Sequence, residues 1–322
     1  MFLHGVFNAD IRKGDTLRDP QHLKDGELMV FDRVIANPPF SLKKWGKEEA
    51  DADAFGRFPY GTPPKDAGDL AFVQHMIASL NADGMMGVVM PHGVLFRGSS
   101  EKAIRQGILQ DDLLEAVIGL PSGLFYGTGI PACLLIINKN KADDRRGQVI
   151  FINSELEYEE GKNQNKLREE DIAKIVDTFE GYKTIKRYSK VVALAEIQEN
   201  DYNLNIRRYA DTSPPPEIFD VKAILHGGIP VREVEGDYIQ EILDGFDVSQ
   251  VFDQLNADYY TFKDDIESKE SIRDYINCDS QQVINQLERW WDKYKVSLHE
   301  IDGQVEAAEA EMNGYLKELG YE

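Results

Sequence analysis

Three short apolar runs, Met85 to Met90, Leu113 to Leu120 and Ala132 to Ile137, constrain this chain more than any other feature. Each has the length and predominantly apolar character of a strand buried on both faces, Glu115 being the one charged residue among them, and each is bounded by Gly, Pro or polar residues. Between the β-prone run Phe31 to Ala36 and the first of them, Leu70, Phe72, Val73, Met76, Ile77 and Leu80 recur at three- and four-residue spacing, which predicts an amphipathic helix over 69–80 with Asp69 as its N-cap. Ser99 or Ser100 is placed to cap a second helix through Leu109. Strand, helix and strand in alternation imply an α/β fold with a parallel sheet. The last two runs are joined by the glycine-rich stretch Pro121 to Pro131, which lacks helical periodicity, so they are expected to form an antiparallel hairpin at or near one sheet edge.

After residue 150 the chain turns polar, with helices expected at Glu169 to Phe179 and Leu194 to Asn200. Pro214, Pro215 and Pro216 mark a boundary, because three prolines hold an extended path and donate no backbone hydrogen bond. The expected organisation is therefore an α/β domain over 1–150, a polar connecting region with helices over 151–212, and an acidic helical region over 213–322. In that last region Ile284, Leu287, Trp291, Tyr294, Leu298, Ile301 and onward to Tyr315 and Leu319 recur at alternating steps of three and four, which predicts a long coiled-coil-like helix across five heptads. A helix of that length outruns what a small domain covers, and a subunit-docking arm is the expectation.

Charge sharpens the division. The formal net charge is -21, an excess of carboxylates that repels phosphate and argues against a free-standing nucleic-acid binder. Residues 211–322 carry -17 of it and residues 1–210 only -4, so the repulsion belongs to the acidic third. Cys133 and Cys278 form no CxxC pair, and a reducing cytoplasm is the expected location. Cys133 lies in an apolar run and is expected in the core. No apolar run approaches the ~18 residues of a membrane-spanning helix, so no membrane partner is expected. The six histidines make no HxxxH or HExxH pattern, and no metal site is expected.

The sharpest local signal is Asn37-Pro38-Pro39-Phe40, directly after a predicted strand. An Asn amide oxygen beside a carbonyl that proline keeps out of sheet pairing offers two acceptors aimed at one point. Those acceptors suit the two hydrogens of an exocyclic amine, turning its lone pair towards an electrophile while Phe40 stacks on the attached ring. A double-proline turn with Asn as a local cap is the purely structural alternative. Ligands of α/β sheets bind beyond the carboxyl ends of the strands, where this motif lies, and that favours the functional reading. The lysines Lys43, Lys44 and Lys47 follow the motif, and Lys183, Lys186, Arg187, Lys190, Arg207 and Arg208 form a second basic region; both are expected mainly as solvated surface.

These residues carry a resemblance. Asn37-Pro38-Pro39-Phe40, with Gly14-Asp15-Thr16-Leu17 before it and Asp69-Leu70-Ala71-Phe72 after it, resembles amino-methyltransferases acting on adenine in DNA. Among them the chain is most similar to the modification (M) subunits of type I restriction-modification systems, a likeness that continues through Gly87 to Phe96, Leu120 to Phe125 and Asp201 to Tyr209. The resemblance implies a partial Rossmann-like S-adenosylmethionine-dependent methyltransferase sheet and methyl transfer to the exocyclic amine of a flipped-out adenine. It implies that Asn37 and the Pro38 carbonyl orient the amine, that Phe40 stacks on the base, and that Asp15 accepts amino hydrogens of the cofactor adenine. A Gly-Asp-Thr turn is an equally good structural account of Asp15. The implied partners are a specificity (S) subunit, a restriction (R) subunit, a second M subunit and double-stranded DNA.

One departure matters. Family members carry a helical domain and a strand with a glycine-rich cofactor loop upstream of the position where this sequence starts. Gly127-Thr128-Gly129 lacks a following helix, and Gly227-Gly228 reads as a helix stop. The expectation is a target-base half of an active site on a truncated gene product, with weak cofactor binding and little activity by the chain alone. Two alternatives stand beside it: a non-catalytic subunit-interaction module, and a methyltransferase acting on a protein glutamine. The latter shares Asn-Pro-Pro but commonly has Tyr next, and lacks the long C-terminal extension.

Overall fold

The computed structural model describes Gly5 and residues 7–318 except 126–128, 163, 214–218 and 277–279. The Pro214 to Pro216 boundary and most of Gly127-Thr128-Gly129 thus lie outside the described residues, as do Cys278 and Leu319. The chain separates into two compact units, 1–213 and 214–322.

The first unit is built on a six-stranded mixed sheet. Its strands are β1 (Phe31–Ala36), β2 (Leu80–Pro91), β3 (Leu114–Gly119), β4 (Ala132–Asn138), β5 (Gln148–Asn153) and β6 (Ser189–Ala193), in the spatial order β1-β2-β4-β3-β5-β6. β1 and β2 are parallel, as are β3 and β5, while β4 runs antiparallel to both β2 and β3. β6 closes the far side antiparallel to β5. The hairpin of β3 and β4 is therefore antiparallel as expected but sits inside the sheet, where β4 is inserted between two strands of opposite direction. It does not lie at an edge. The polar region after residue 150 is likewise no connector, since β5 crosses that boundary and β6 belongs to the same sheet.

Period-two alternation on the buried strands, offset by a register shift between Leu114 and Ala116, sorts two cores. Leu114 and Val117 of β3, with Val149 and Phe151 of β5, face a cluster completed by helices α1 (Asp69–Ala78) and α2 (Ser100–Gln110), by Ile197 of α4 (Leu194–Glu199), by Leu204, and by Ile206 and Tyr209 of α5 (Ile206–Tyr209). Ala116 and Ile118, with Ile150 and Ile152, face the other side, where Ile175 of α3 (Glu169–Gly181) covers them. Cys133 is fully buried, and burial raises its thiol pKa, so it is core and not a nucleophile. The strand β2 starts five residues earlier than its apolar run, and α1 opens on Asp69 with Gly68 at the N-cap position. Asp69 is thus the first helical residue and not the cap. Ser99 precedes α2 with φ 58° and gives it no side-chain cap.

β1 and β6 are the two edges of this sheet. Among the described residues β1 pairs only with β2, Ile35 within it remains 87% exposed, and Val30 just before it is 55% exposed. An edge strand with free N–H and C=O groups and exposed β-branched residues is an open pairing surface.

In the second unit, α6 (Val221–His226) ends at Gly227, φ 81°, the helix stop expected there. A small antiparallel sheet follows, β7 (Ile229–Pro230), β8 (Phe252–Gln254) and β9 (Tyr259–Phe262), with β9 central. The region is therefore not purely helical. Helix α7 (Gln281–Tyr294) buries Val283, Leu287, Trp290 and Tyr294 in this core. Glu233 accepts hydrogen bonds from Trp290 Nε1 at 2.9 Å and from the Tyr294 hydroxyl. The heptad stripe does not form one helix. It breaks at Lys295 to Ser297, and α8 (Leu298–Glu318) restarts where Ser297 Oγ accepts the Glu300 N–H at 3.2 Å. No residue of α8 is buried, and Leu298, Ile301, Val305, Met312 and Tyr315 stay exposed along it.

Candidate functional site

Because β1, β2, β3 and β5 share one direction, their carboxyl ends and the amino end of β4 meet along one edge of the sheet. The loops that follow them carry the segments singled out in the sequence. Asn37 is exposed and its side chain has no hydrogen-bond partner among the described residues, so its amide is available to a ligand. Pro38 is buried, Pro39 exposed and Phe40 half-buried. The Phe40 ring meets Phe125 at 6.3 Å between centroids and 72° between planes. Phe125 comes from the loop between β3 and β4, so two aromatic rings from loops far apart in sequence border one place. That loop is held from outside: Asn165 Nδ2 donates to the Ser122 carbonyl at 2.9 Å, and the Gly123 carbonyl accepts the Asn165 N–H at 3.0 Å.

Asp15 lies in a turn. Its Oδ1 accepts the backbone N–H groups of Leu17 at 3.0 Å and Arg18 at 3.1 Å, the turn-forming role that the Gly-Asp-Thr pattern allowed. Oδ2 has only a 4.0 Å ion pair to Arg18 and is open to solvent.

What fixes this segment has no local sequence signal. Arg57, in the loop rich in Gly, Pro and Asp, is 3% exposed and donates to the carbonyls of Thr16 at 3.1 Å and Leu17 at 2.8 Å. It pairs with Asp53 at 2.7 Å, and its Nη1 lies 3.3 Å from His75 Nδ1. Burial, then the Arg57 charge, pulls the His75 pKa from 6.5 to about 4. A histidine with a depressed folded pKa is neutral in the native state, so its contribution is complete above pH 6.5 and is lost as pH falls towards about 4. Over that window the loss approaches about 3 kcal/mol at ~1.4 kcal/mol per unit. Denaturant titrations from pH 7 to 4 are expected to show it, and His75→Gln to flatten the slope; an unchanged slope in the variant would exclude His75 as its source.

The late segment Asp201 to Tyr209 caps the same edge. Tyr209 stacks on Phe151 at 4.2 Å, and Asn153 Nδ2 donates to the Ala210 carbonyl at 2.8 Å. His92, after β2, is half-buried with Nε2 3.0 Å from the Ala132 carbonyl, and burial lowers its pKa. Three residues of the basic regions are paired with carboxylates. Lys47 pairs with Asp51, Lys190 with Glu196 and Arg207 with Glu155, while Arg208 donates to Asn200; Lys43 and Lys44 remain exposed. Among the described residues no cluster of His, Cys, Asp or Glu is arranged to hold a metal ion, and no helix is long and apolar enough to cross a membrane.

A mixed α/β sheet with an antiparallel strand inserted among parallel ones thus carries Asn-Pro-Pro-Phe at a strand's carboxyl end, where ligands of such sheets bind. Residues 1–217 match the N-6 DNA Methylase family, and the chain belongs to that family. It is 38% identical over 254 residues to the type I restriction enzyme MjaVII methylase subunit of Methanocaldococcus jannaschii, covering 76% of this chain and 43% of that one. It is 35% identical over 217 residues to the HindI methylase subunit of Haemophilus influenzae, covering 65% and 46%. The crystal structure of a type I restriction-modification system methyltransferase subunit from Streptococcus thermophilus superposes with a TM-score of 0.60 at 38% identity, over 66% of this chain and 45% of that chain. The chain thus spans less than half the length of these relatives.

Proposed function

We propose that the first unit is the target-base side of an adenine-specific DNA methyltransferase, acting as the M subunit of a type I restriction-modification complex in the cytoplasm. The observation that carries this reading is the free Asn37 amide three residues before Phe40, whose ring meets that of Phe125 at the carboxyl edge of the sheet. Asn37 Oδ1 and the Pro38 carbonyl accept the two amine hydrogens of a flipped adenine and direct the nitrogen lone pair outward. Phe40 stacks on the base, and Phe125 limits how far the base slides.

S-adenosylmethionine supplies an electrophilic methyl carbon when bound. The residues described here fit it only in part: Asp15 keeps one carboxylate oxygen for an amino group, while the two short strands Leu23–Lys24 and Glu27–Leu28 that precede β1 form a hairpin and not a strand followed by a glycine-rich loop and a helix. Residues 1–322 alone are therefore expected to show no stoichiometric, micromolar binding of S-adenosylmethionine by calorimetry, and such binding would overturn this assignment of the cofactor site.

The exposed apolar stripe of α8 supports docking of a specificity subunit, which brings DNA to a chain whose own charge repels it. A restriction subunit and a second M chain complete the proposed assembly. The test supplies the chain with specificity subunit, unmethylated duplex, S-adenosylmethionine and a separately expressed amino-terminal half of a relative. N6-methyladenine detected by mass spectrometry supports the enzyme. Complex formation without any methylated base supports the competing interaction module, which the same α8 stripe favours.

A further inference from the structure

Asp69 is 1% exposed, sits at the first position of α1, and serves two loops that the reaction needs. Its Oδ1 accepts the N–H of Ser41, the residue after Phe40, at 2.7 Å. Ser41 holds φ 51°, a left-handed conformation that is disfavoured for a residue with a Cβ and persists only where the surroundings enforce it. The Gly68 N–H donates to the Leu42 carbonyl at 3.1 Å, so the chain leaving Asn-Pro-Pro-Phe is fastened to the start of α1 at two successive residues. Gly68 is required there, because a Cβ would lie 2.8 Å from the Trp45 ring. On its other side Asp69 Oδ2 accepts from Arg97 Nη2 at 2.6 Å, and Arg97 in turn pairs with Glu101 at 2.8 Å. Arg97 belongs to the loop after β2, and its guanidinium lies over Gly93, 2.9 Å from where a Cβ would stand. The carboxylate also faces the positive end of α1.

We infer that Asp69 and Arg97 are positioning residues for base methylation: Asp69 holds the left-handed turn that aims Asn37 and Phe40, and Arg97 ties that turn to the loop after β2. This rests on the adenine-methyltransferase reading and adds residues that touch neither base nor cofactor. A loop misplaced by about 1 Å costs on the order of 100-fold in rate, whereas binding contacts elsewhere are unaffected.

Two readouts separate this inference from the reading beneath it. Hydrogen exchange on the full chain needs no activity: the Ser41 amide is expected to be protected in the wild type and in Asp69→Asn, whose carboxamide oxygen still accepts, and to exchange about tenfold faster or more in Asp69→Ala. Equal exchange in all three overturns the inference even if the wild type methylates adenine. In the reconstituted complex, Asp69→Ala is expected to lower single-turnover methyl transfer about 100-fold with KM for DNA unchanged, and Asp69→Asn to recover most of it. An active wild type with both variants at wild-type rate, or both equally slow, also overturns it. A silent wild type counts against the enzyme reading and leaves the exchange result to decide the role of Asp69. If Asp69→Ala does not fold, Arg97→Gln takes its place: slower transfer with Ser41 still protected supports the brace, and an unchanged rate refutes it.

Discussion

Replacing Asn37 with Ala is expected to lower methyl transfer by about 10³-fold while leaving the fold intact. The size follows from what the side chain does. An exocyclic amine conjugated with a purine ring is a poor nucleophile, and two acceptors on its hydrogens are needed to free the lone pair from the ring. Deleting one acceptor leaves the Pro38 carbonyl alone and the amine able to rotate. The stability of the chain is expected to change little, since Asn37 is exposed and bonds to no described residue. DNA binding by the reconstituted complex is expected to persist, because the proposed stacking of the base on Phe40 does not involve the amide. Single-turnover transfer of labelled methyl groups, with DNA affinity measured in parallel, checks both halves. A variant within threefold of the wild-type rate would remove Asn37 from the chemistry, and a variant that loses DNA binding equally would make it a recognition residue.

Much of the first unit was legible because its strands are buried. β3 is buried at all six positions and is apolar at every one but Glu115, which Asn138 and Arg145 satisfy, and α1 reads as a helix because one face meets the sheet. Strand order was not legible. β2, β3 and β4 are all apolar, and nothing in their composition says that β4 pairs with both neighbours; that depends on chain direction across the whole sheet. In the second unit the apolar stripe is real, but a period of three and four cannot show that Ser297 starts a new helix, because the stripe continues in phase across the break. The residues Val251 to Phe262 also escaped notice as strands, being short and interrupted by acidic residues.

The candidate site divides in the same way. Asn37 and Phe40 stand in a local motif whose chemistry can be argued from neighbouring residues. Asp69 was visible only as a cap, since its partners Ser41 and Arg97 each lie 28 residues away. Asp15 carries both signals at once: its turn bonds are local and were foreseeable, whereas its anchorage through Arg57 spans about forty residues and passes through a loop with no periodicity.

That anchorage makes Arg57→Ala the most destabilising substitution expected in the first unit, about 3–5 kcal/mol. The Arg57 and Asp53 side chains are 4% and 6% exposed, and Arg57 Nε donates to Asp53 Oδ1 at 2.8 Å. Removing the guanidinium leaves the Asp53 charge buried without its cation and withdraws the donors from Thr16 and Leu17. It also removes a cation held 5.6 Å from the Phe55 ring and 5.3 Å from that of Phe58. For a unit of this size the loss corresponds to a fall in Tm on the order of 10 °C. Arg57→Lys keeps the charge but not the planar fork, so it is expected to lose roughly half as much. Asp53→Ala combined with Arg57→Ala is expected to cost less than Arg57→Ala alone, because the orphaned carboxylate is gone. The effect also reaches the cofactor side: with Thr16 and Leu17 released, Asp15 no longer keeps its place, and the reconstituted complex is expected to show a raised KM for S-adenosylmethionine at nearly unchanged kcat. Denaturant unfolding of the three variants measures the first claim and steady-state kinetics the second. An Arg57→Ala protein within 1 kcal/mol of wild type would show that the buried pair is dispensable and that the Asp15 turn holds itself.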